Sequence, residues 1–457
     1  MFRLEIFEAL KGIVGPENVS VDESALAVYS YDATRLKGVP EAVVRPGSEA
    51  EVAGIMMLAT KYELPVVPRG AGSGLTGGAV PSRGGIVLSF ERMAEIISID
   101  KANRIATVQP GVVTGTLQRA VEKSGLFYPP DPGSLEFCTI GGNVAENAGG
   151  MRALKYGVTR DYVIGLRAVL PSGEVIRAGV KTAKGVVGYD IARLLVGSEG
   201  TLAVITEITL RLIPRPGKVV TMTAVFKDTV GAGAAVADIM ASGVTPRCLE
   251  FLDGAALKAG ADRSGVKLPD GAGGFLLVET DGSEHQAAYD AGLVKEMLAR
   301  HALKVSVAES EQESAALWKL RRSTSQALFS IAPDKINEDT VVPVSAVPEA
   351  LAGFREIAGK FGLDIVCFGH AGDGNIHVNV MTDRRDPEKK AAAEEAVVEV
   401  FQLVLRFGGT ISGEHGIGLT KAPYLRMELS EAEVELLKRV KAAFDPLNIL
   451  NPGKIFS

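Results

Sequence analysis

The chain has 457 residues, 46% of them hydrophobic and 23% charged, with a formal net charge of −6. That composition belongs to a globular protein of two or three domains and excludes a disordered chain. The acidic balance without a long basic run argues against a nucleic-acid partner, and three scattered cysteines, Cys138, Cys248 and Cys367, argue against disulfides, thiolate zinc sites and iron–sulfur clusters within the chain. The first stretch, MFRLEIFEALKGIVG, has helical apolar spacing interrupted by Arg3, Glu5, Glu8 and Lys11, so it lacks the unbroken apolar region expected of a signal peptide. No segment offers the ~18 uninterrupted apolar residues of a membrane span. A soluble cytoplasmic protein is expected, with peripheral attachment to the inner membrane through a partner left open.

Ser48 followed by Glu51 forms a capping-box signal for a helix that leads into a strand at Leu64 to Val67. The next stretch, VVPRGAGSGLTGGAVP, contains G-x-G-x-x-G from Gly72 to Gly77. A Rossmann loop needs a helix after its last glycine, and here Gly78 to Gly85 lead instead into the strand-like IVLSF. No Lys-Ser or Lys-Thr closes the run, so a Walker A loop is excluded too. What remains is a bare backbone that could present successive N–H groups to an anion, although a flexible surface loop fits the same pattern. A helix is predicted at TGTLQRAVEKSG, and strands at RIATVQPG, IGLRAVLPSG and LAVITEITLRLI. Between them lies a second glycine–asparagine stretch, YPPDPGSLEFCTIGGNVAENAGGMRALKYG, stiffened by prolines and opened by Gly141, Gly142, Gly149 and Gly150. Two such loops in one domain point to a large, flat, polar ligand such as a dinucleotide.

Pro214 and Pro216 mark a domain boundary. Beyond it the spacing predicts helices near 228–241, 285–300, 309–330 and 388–407. Two strands, LDIVCFGHAG and NIHVNVM, flank the turn Asp373-Gly374-Asn375. Of the five histidines, His285 and His301 fall in charged helical surroundings and read as surface residues. His370 and His377 are brought together by the turn, with His377 and Asn379 sharing one face of a strand and Val378 and Val380 the other. Two imidazoles plus a carboxylate make a divalent-metal site, and Glu414 in SGEHGIG is the candidate carboxylate. If residues 413–416 are extended, Glu414 and its neighbour His415 face different partners. Satisfied strand histidines and a solvated loop acid are the plain alternative.

The motifs PRGAGSGLTGG, PPDPGS.EF.TIGGNVAENAGG, YG.TRDYV, GSEGTLAVIT and the terminal NPGKIF, in this order, resemble the FAD-linked oxidases of the vanillyl-alcohol oxidase type. The nearest branch is the D-2-hydroxy-acid dehydrogenases, which include D-lactate dehydrogenase and the FAD-binding subunit of glycolate oxidase. The resemblance implies an α+β fold with a two-part FAD-binding domain (1–216), an α+β cap domain with the metal site (217–420), and a C-terminal return to the first domain (421–457). It implies that FAD is held by Pro68, Arg69, Gly70, Ala71, Gly72, Ser73, Gly74, Leu75, Thr76 and Gly77 of the first loop. Pro130, Asp131, Pro132, Gly133, Ser134, Gly141, Gly142, Asn143, Asn147, Ala148, Gly149 and Gly150 are expected around the rest of the cofactor, with Tyr156, Gly157, Glu199, Gly200 and Ile205. Relatives with covalent flavin use a His in the first loop or a Cys in the second, so noncovalent FAD is expected here.

The same resemblance makes His370, His377 and Glu414 ligands of zinc or manganese, His415 the base, and Asn379 a substrate neighbour. Arg321, after the W-x-L of LWKLRR, and Lys335 are implied as the cations for a substrate carboxylate, with Ser325 where relatives often carry Thr. The implied reaction is oxidation of a D-2-hydroxy acid, D-lactate or glycolate among them, to the 2-oxo acid. Electrons then leave to a redox partner: an iron–sulfur subunit, an electron-transfer flavoprotein or a quinone. A metal-dependent hydrolase and a non-catalytic FAD relay subunit are the rival readings, and a homodimer is left open.

Overall fold

A computed structural model describes residues 4–456. Arg3, read above as interrupting the first helix, and Ser457 lie outside the described residues. The chain divides into two compact units, one of residues 1–149, 157–215 and 414–457, the other of residues 150–156 and 216–413. Expectation had placed the boundaries near 216 and 421. The return to the first unit begins at Glu414, and a seven-residue strap, 150–156, belongs with the second unit.

The first unit contains two main sheets. In one, strands Val19–Ser20, Ala42–Val44, Ile86–Ser89 and Val66–Arg69 lie side by side in that order, the last three parallel. Helices Leu4–Val14 and Glu49–Tyr62 close its core, with Ile6, Leu10, Ile55, Met56, Val66, Ile86 and Leu88 buried together. Each such side chain contributes about 1.5–3 kcal/mol by leaving water. The predicted cap is present: Ser48 accepts the Glu51 N–H at 3.2 Å, while the Glu51 carboxylate reaches back to the N–H of Gly47. The other sheet is antiparallel, in the order Ile96–Asp100, Ile105–Val108, Val204–Arg211, Val163–Val169, Val175–Gly179. The helix expected at TGTLQRAVEKSG spans Thr114–Glu122.

The second unit is built on a seven-stranded antiparallel sheet, of which the sequence reading named two strands. Its order is Lys304–Val307, Lys218–Phe226, Gly274–Gly282, Cys248–Asp253, Ile365–His370, Asn375–Thr382, Asp334–Val341. The four expected helices fall at Thr229–Ala241, Glu284–Ala299, Glu311–Ala327 and Pro387–Arg406. Two helices not anticipated, Gly254–Ser264 and Val347–Phe361, join them. On one sheet face Leu252, Phe275, Leu277, Val366, Phe368 and Met381 form a core with Leu257 and Leu320 of helices Gly254–Ser264 and Glu311–Ala327. Alternate residues such as Leu249, Phe251, Leu276, Val378 and Val380 point to the opposite face and are buried as well. This α+β organisation agrees with the expected class. Among the described residues no helix is long and apolar enough to cross a membrane.

Candidate functional site

In the first unit, residues 70–85 join two neighbouring parallel strands, and no helix follows Gly77, as the Rossmann exclusion requires. Gly72 and Gly77 hold φ of +67° and +85°, a region that disfavours side chains. Close approach explains a third glycine: a Cβ on Gly70 would fall 2.2 Å from the hydroxyl of Thr139. The first loop is thereby seated on the second glycine–asparagine stretch. Gly74, by contrast, has open space where a Cβ would stand. Arg69 is buried; its guanidinium donates to the carbonyl of Ala79 at 3.2 Å and lies over the Tyr29 ring, bracing its own loop. Burial pushes the Arg69 pKa down, opposed by the nearby Asp32 carboxylate.

The second stretch differs from the open loop that was expected. Residues Ile140–Glu146 form a short helix, capped by the Thr139 hydroxyl at the start and by Asn147, at φ +55°, at the end. Helix caps of this kind favour Thr at one end and Asn in the left-handed region at the other, a signal that the glycines obscured. Asn143 donates to the Thr114 hydroxyl at 2.7 Å, and the Asn147 side chain accepts the Arg160 N–H at 2.9 Å. Gln118 donates to the carbonyls of Tyr128 and Pro130, holding the proline corner, and Asp131 is buried beside it. The thiol of Cys138 is buried against Thr114, and burial raises its pKa.

Several expected cofactor residues have other visible tasks. Both Glu199 oxygens accept backbone N–H groups, from Ile417 and Gly418, each at 2.7 Å. Gly200 passes close to Pro68, and Ile205 is buried in strand Val204–Arg211 beside a register shift. Gly157 stays in the first unit at φ +77°, but Gly150 and Tyr156 fall in the second, where the Tyr156 hydroxyl donates to Asp281 at 2.7 Å. The C-terminal return contributes residues to which the sequence reading assigned no role. The Asn451 amide donates to the carbonyls of Gly78 and Glu199, and Lys454 to that of Val80, so the NPGK motif laces the tail to the first loop.

In the second unit one face of the sheet carries a polar stripe. Strand register sets Glu250 beside His370, His377 beside Phe368 and Asp339, and Asn379 beside Asn337. His370 and His377 meet edge to face with centroids 5.4 Å apart, as the turn predicted. Glu250 lies between two partners, with Oε1 2.6 Å from His370 Nδ1 and Oε2 2.7 Å from Arg321 Nε. Burial raises the pKa of Glu250, but the electrostatic pull and hydrogen bonds of His370 and Arg321 outweigh it and hold the carboxyl below its ordinary range. Arg321 also lies over the Phe368 ring, itself 5.4 Å from the His377 ring.

One helical turn along, Ser325 meets Lys335, whose ammonium donates to its carbonyl and hydroxyl at 2.8 and 2.7 Å. Asn379 is fully buried; its amide nitrogen serves Val366 and His377, while its Oδ1 has no hydrogen-bond partner. A buried carbonyl oxygen without a donor is costly, so a bound hydrogen-bond donor would satisfy this atom. His301, expected at the surface, is half-buried with Nε2 3.0 Å from Asp238, whereas His285 is exposed.

Residues 413–416 are not extended as supposed, but run through bends to Gly416 at φ +81°. The Gly413 N–H donates to Asp339. Glu414, the next residue, has its carboxylate against Gly149, where a Cβ would come within 2.9 Å. The His415 carbonyl accepts the Thr76 hydroxyl at 3.2 Å. Two imidazoles suit a divalent cation chemically, and with Nδ1 turned to a carboxylate His370 offers Nε2.

Residues 215–455 match the family described as FAD linked oxidases, C-terminal domain, and residues 40–179 match the FAD binding domain. The chain is 45% identical to the glycolate oxidase subunit GlcD of Bacillus subtilis over 459 residues, covering 100% of this chain and 98% of the relative. It is 36% identical to a D-lactate dehydrogenase of Anaerostipes hadrus, with 99% and 97% covered. A D-2-hydroxyglutarate dehydrogenase of Stutzerimonas stutzeri is 35% identical, with 99% of each covered. Among solved structures, p-cresol methylhydroxylase with substrate bound superposes with a TM-score of 0.80 at 17% identity, covering 99% of this chain and 96% of the other. At that identity the likeness shows the fold.

Proposed function

The chain belongs to the FAD-linked oxidases, carrying both their FAD-binding domain and their C-terminal domain, and from this premise we propose that it oxidises a D-2-hydroxy acid to the 2-oxo acid. The observation that carries the reading is the polar stripe in the second unit: two adjacent imidazoles, a buried amide oxygen awaiting a donor, and Arg321 of the covering helix tied to His370 through Glu250. The relatives named for glycolate, D-lactate and D-2-hydroxyglutarate support the substrate class. The FAD-binding domain argues against the rival hydrolase.

When bound, FAD supplies a hydride acceptor, and a zinc or manganese ion held by His370, His377 and Glu414 supplies a Lewis acid that acidifies the substrate hydroxyl. Arg321 orients the substrate carboxylate through a charge-assisted fork, with the paired Lys335 and Ser325 as a second cationic contact. Asn379 receives a hydroxyl proton donor at Oδ1. His415 takes the 2-hydroxyl proton as the Cα hydrogen departs. Noncovalent retention of FAD is supported by the absence of His from the first loop and by the buried thiol of Cys138, its pKa raised by desolvation. Electrons then pass to a partner, a role consistent with relatives that are named as subunits.

Anaerobic mixing with a panel of glycolate, D-lactate, L-lactate and D-2-hydroxyglutarate tests this. Bleaching of the flavin is expected with one or more D or achiral acids and not with L-lactate. No bleaching with any 2-hydroxy acid overturns the proposal.

A further inference from the structure

Glu250 is fully buried on strand Cys248–Asp253, and its two oxygens are divided between two side chains of different proposed duty. Oε1 holds His370 at Nδ1 and Oε2 holds Arg321 at Nε, at 2.6 and 2.7 Å. From this geometry we infer that Glu250 is a shared positioning residue, which fixes the ring nitrogen His370 offers to the metal and aims the Arg321 guanidinium at the substrate carboxylate. The inference rests on the reading of His370 and His377 as metal ligands.

The physical reason is donor bookkeeping. Accepting at Oε1 keeps the proton on His370 Nδ1, so Nε2 carries the lone pair a cation needs. Accepting from Arg321 at Nε, on the stem side of the guanidinium, points its two terminal nitrogens away from the carboxylate. The Phe368 ring, 4.9 Å from Arg321 Cζ, limits rotation about that axis. A neutral amide cannot do both tasks. Gln at 250 has one acceptor and one NH2 group, so in either orientation one partner meets a donor. If the NH2 faces His370, the imidazole proton moves to Nε2 and blocks the ligand position. If it faces Arg321, the guanidinium is turned out of line.

The test compares wild type, Glu250→Gln and His377→Asn, each as the FAD-loaded protein. Dissociation constants for Zn2+ and Mn2+ are measured by competition with a chelating indicator. KM and kcat are measured with the best acid of the panel at saturating metal, and melting temperature and FAD content are recorded alongside. For Glu250→Gln with its NH2 facing His370 the metal is expected to bind about 10–100-fold more weakly. With the NH2 facing Arg321 instead, KM should rise at saturating metal more than kcat falls; FAD content is retained in either case. If E250Q does not fold, E250D serves: it keeps the charge but lacks the reach to span both donors, and the same two losses are expected at smaller size.

A loss confined to metal affinity or to KM in E250Q shows which partner the amide still serves, and E250A, which offers neither partner an acceptor, must then lose both; E250A that loses only one overturns the shared role. Wild-type values for both overturn it altogether. If His377→Asn binds metal as tightly as wild type, or wild type binds none, the metal-site reading falls and this inference falls with it.

Discussion

The His415 backbone is anchored independently of its imidazole, because its carbonyl accepts the Thr76 hydroxyl. Replacing the ring should therefore change chemistry and little else. His415→Asn is expected to retain FAD and metal while the rate of flavin reduction falls by ~10²–10⁴, the usual loss for a missing general base. Glu414→Gln keeps size but removes the anionic ligand, so metal content should fall together with activity. Metal analysis and anaerobic stopped-flow on the two variants separate the roles. A metal-free His415→Asn beside a metal-replete Glu414→Gln would show the assignment reversed, and normal reduction rates in both would remove the proposed active site. Gly149 belongs to the same test, because an Ala there would press within 2.9 Å of the Glu414 carboxylate.

Two elements are held by single residues whose contribution is measurable. Asp253 caps helix Gly254–Ser264 through the Ala256 N–H at 2.8 Å and also accepts the Cys367 N–H from the neighbouring strand. Burial raises its pKa from 3.8 to about 6. The folded state therefore binds the proton more tightly than the unfolded chain, and this contribution to stability is lost as pH rises from about 4 to 6. Asp253→Asn keeps a capping oxygen without the titration. Relative to that variant, wild type should lose on the order of 3 kcal/mol across this window, read by denaturant unfolding at several pH values; a difference independent of pH would refute the shift. The tail depends on Asn451 in a comparable way. Asn451→Ala removes both hydrogen bonds to Gly78 and Glu199 and leaves buried carbonyls unpaired. It should cost ~1–3 kcal/mol and speed FAD release, followed by the fluorescence of freed flavin after dilution. Wild-type stability and retention would show the tail contacts to be incidental.

For the whole molecule, binding of flavin and reduction of flavin should be separable. The glycine loops up to Gly149 belong to the first unit, and the two imidazoles proposed as ligands to the second. A strong chelator is expected to abolish substrate-driven bleaching while the protein stays yellow, and zinc or manganese should restore it. Full activity in verified metal-free protein would leave His370 and His377 as structural residues. Acid precipitation should release the flavin to the supernatant, and colour remaining in the pellet would contradict noncovalent binding.

What the sequence determined by itself is local. A missing helix after Gly77 excluded the Rossmann fold, the Asp373-Gly374-Asn375 turn brought His370 to His377, and strand alternation set Asn379 on the same face as His377. Each follows from turn chemistry or from a side-chain period of two, which a few consecutive residues suffice to define. The tertiary structure decided which distant residues complete those motifs. Strand Cys248–Asp253 lies beside Ile365–His370 in the sheet, and only that order sets Glu250 against a histidine 120 positions away. Asn451 reaches Gly78 across 373 positions for the same reason. The helix at Ile140–Glu146 likewise stands where glycines suggested an open loop, because Ile140 and Val144 are buried there. Burial outweighs the modest helix propensity of two glycines, and burial is a property of the assembled fold.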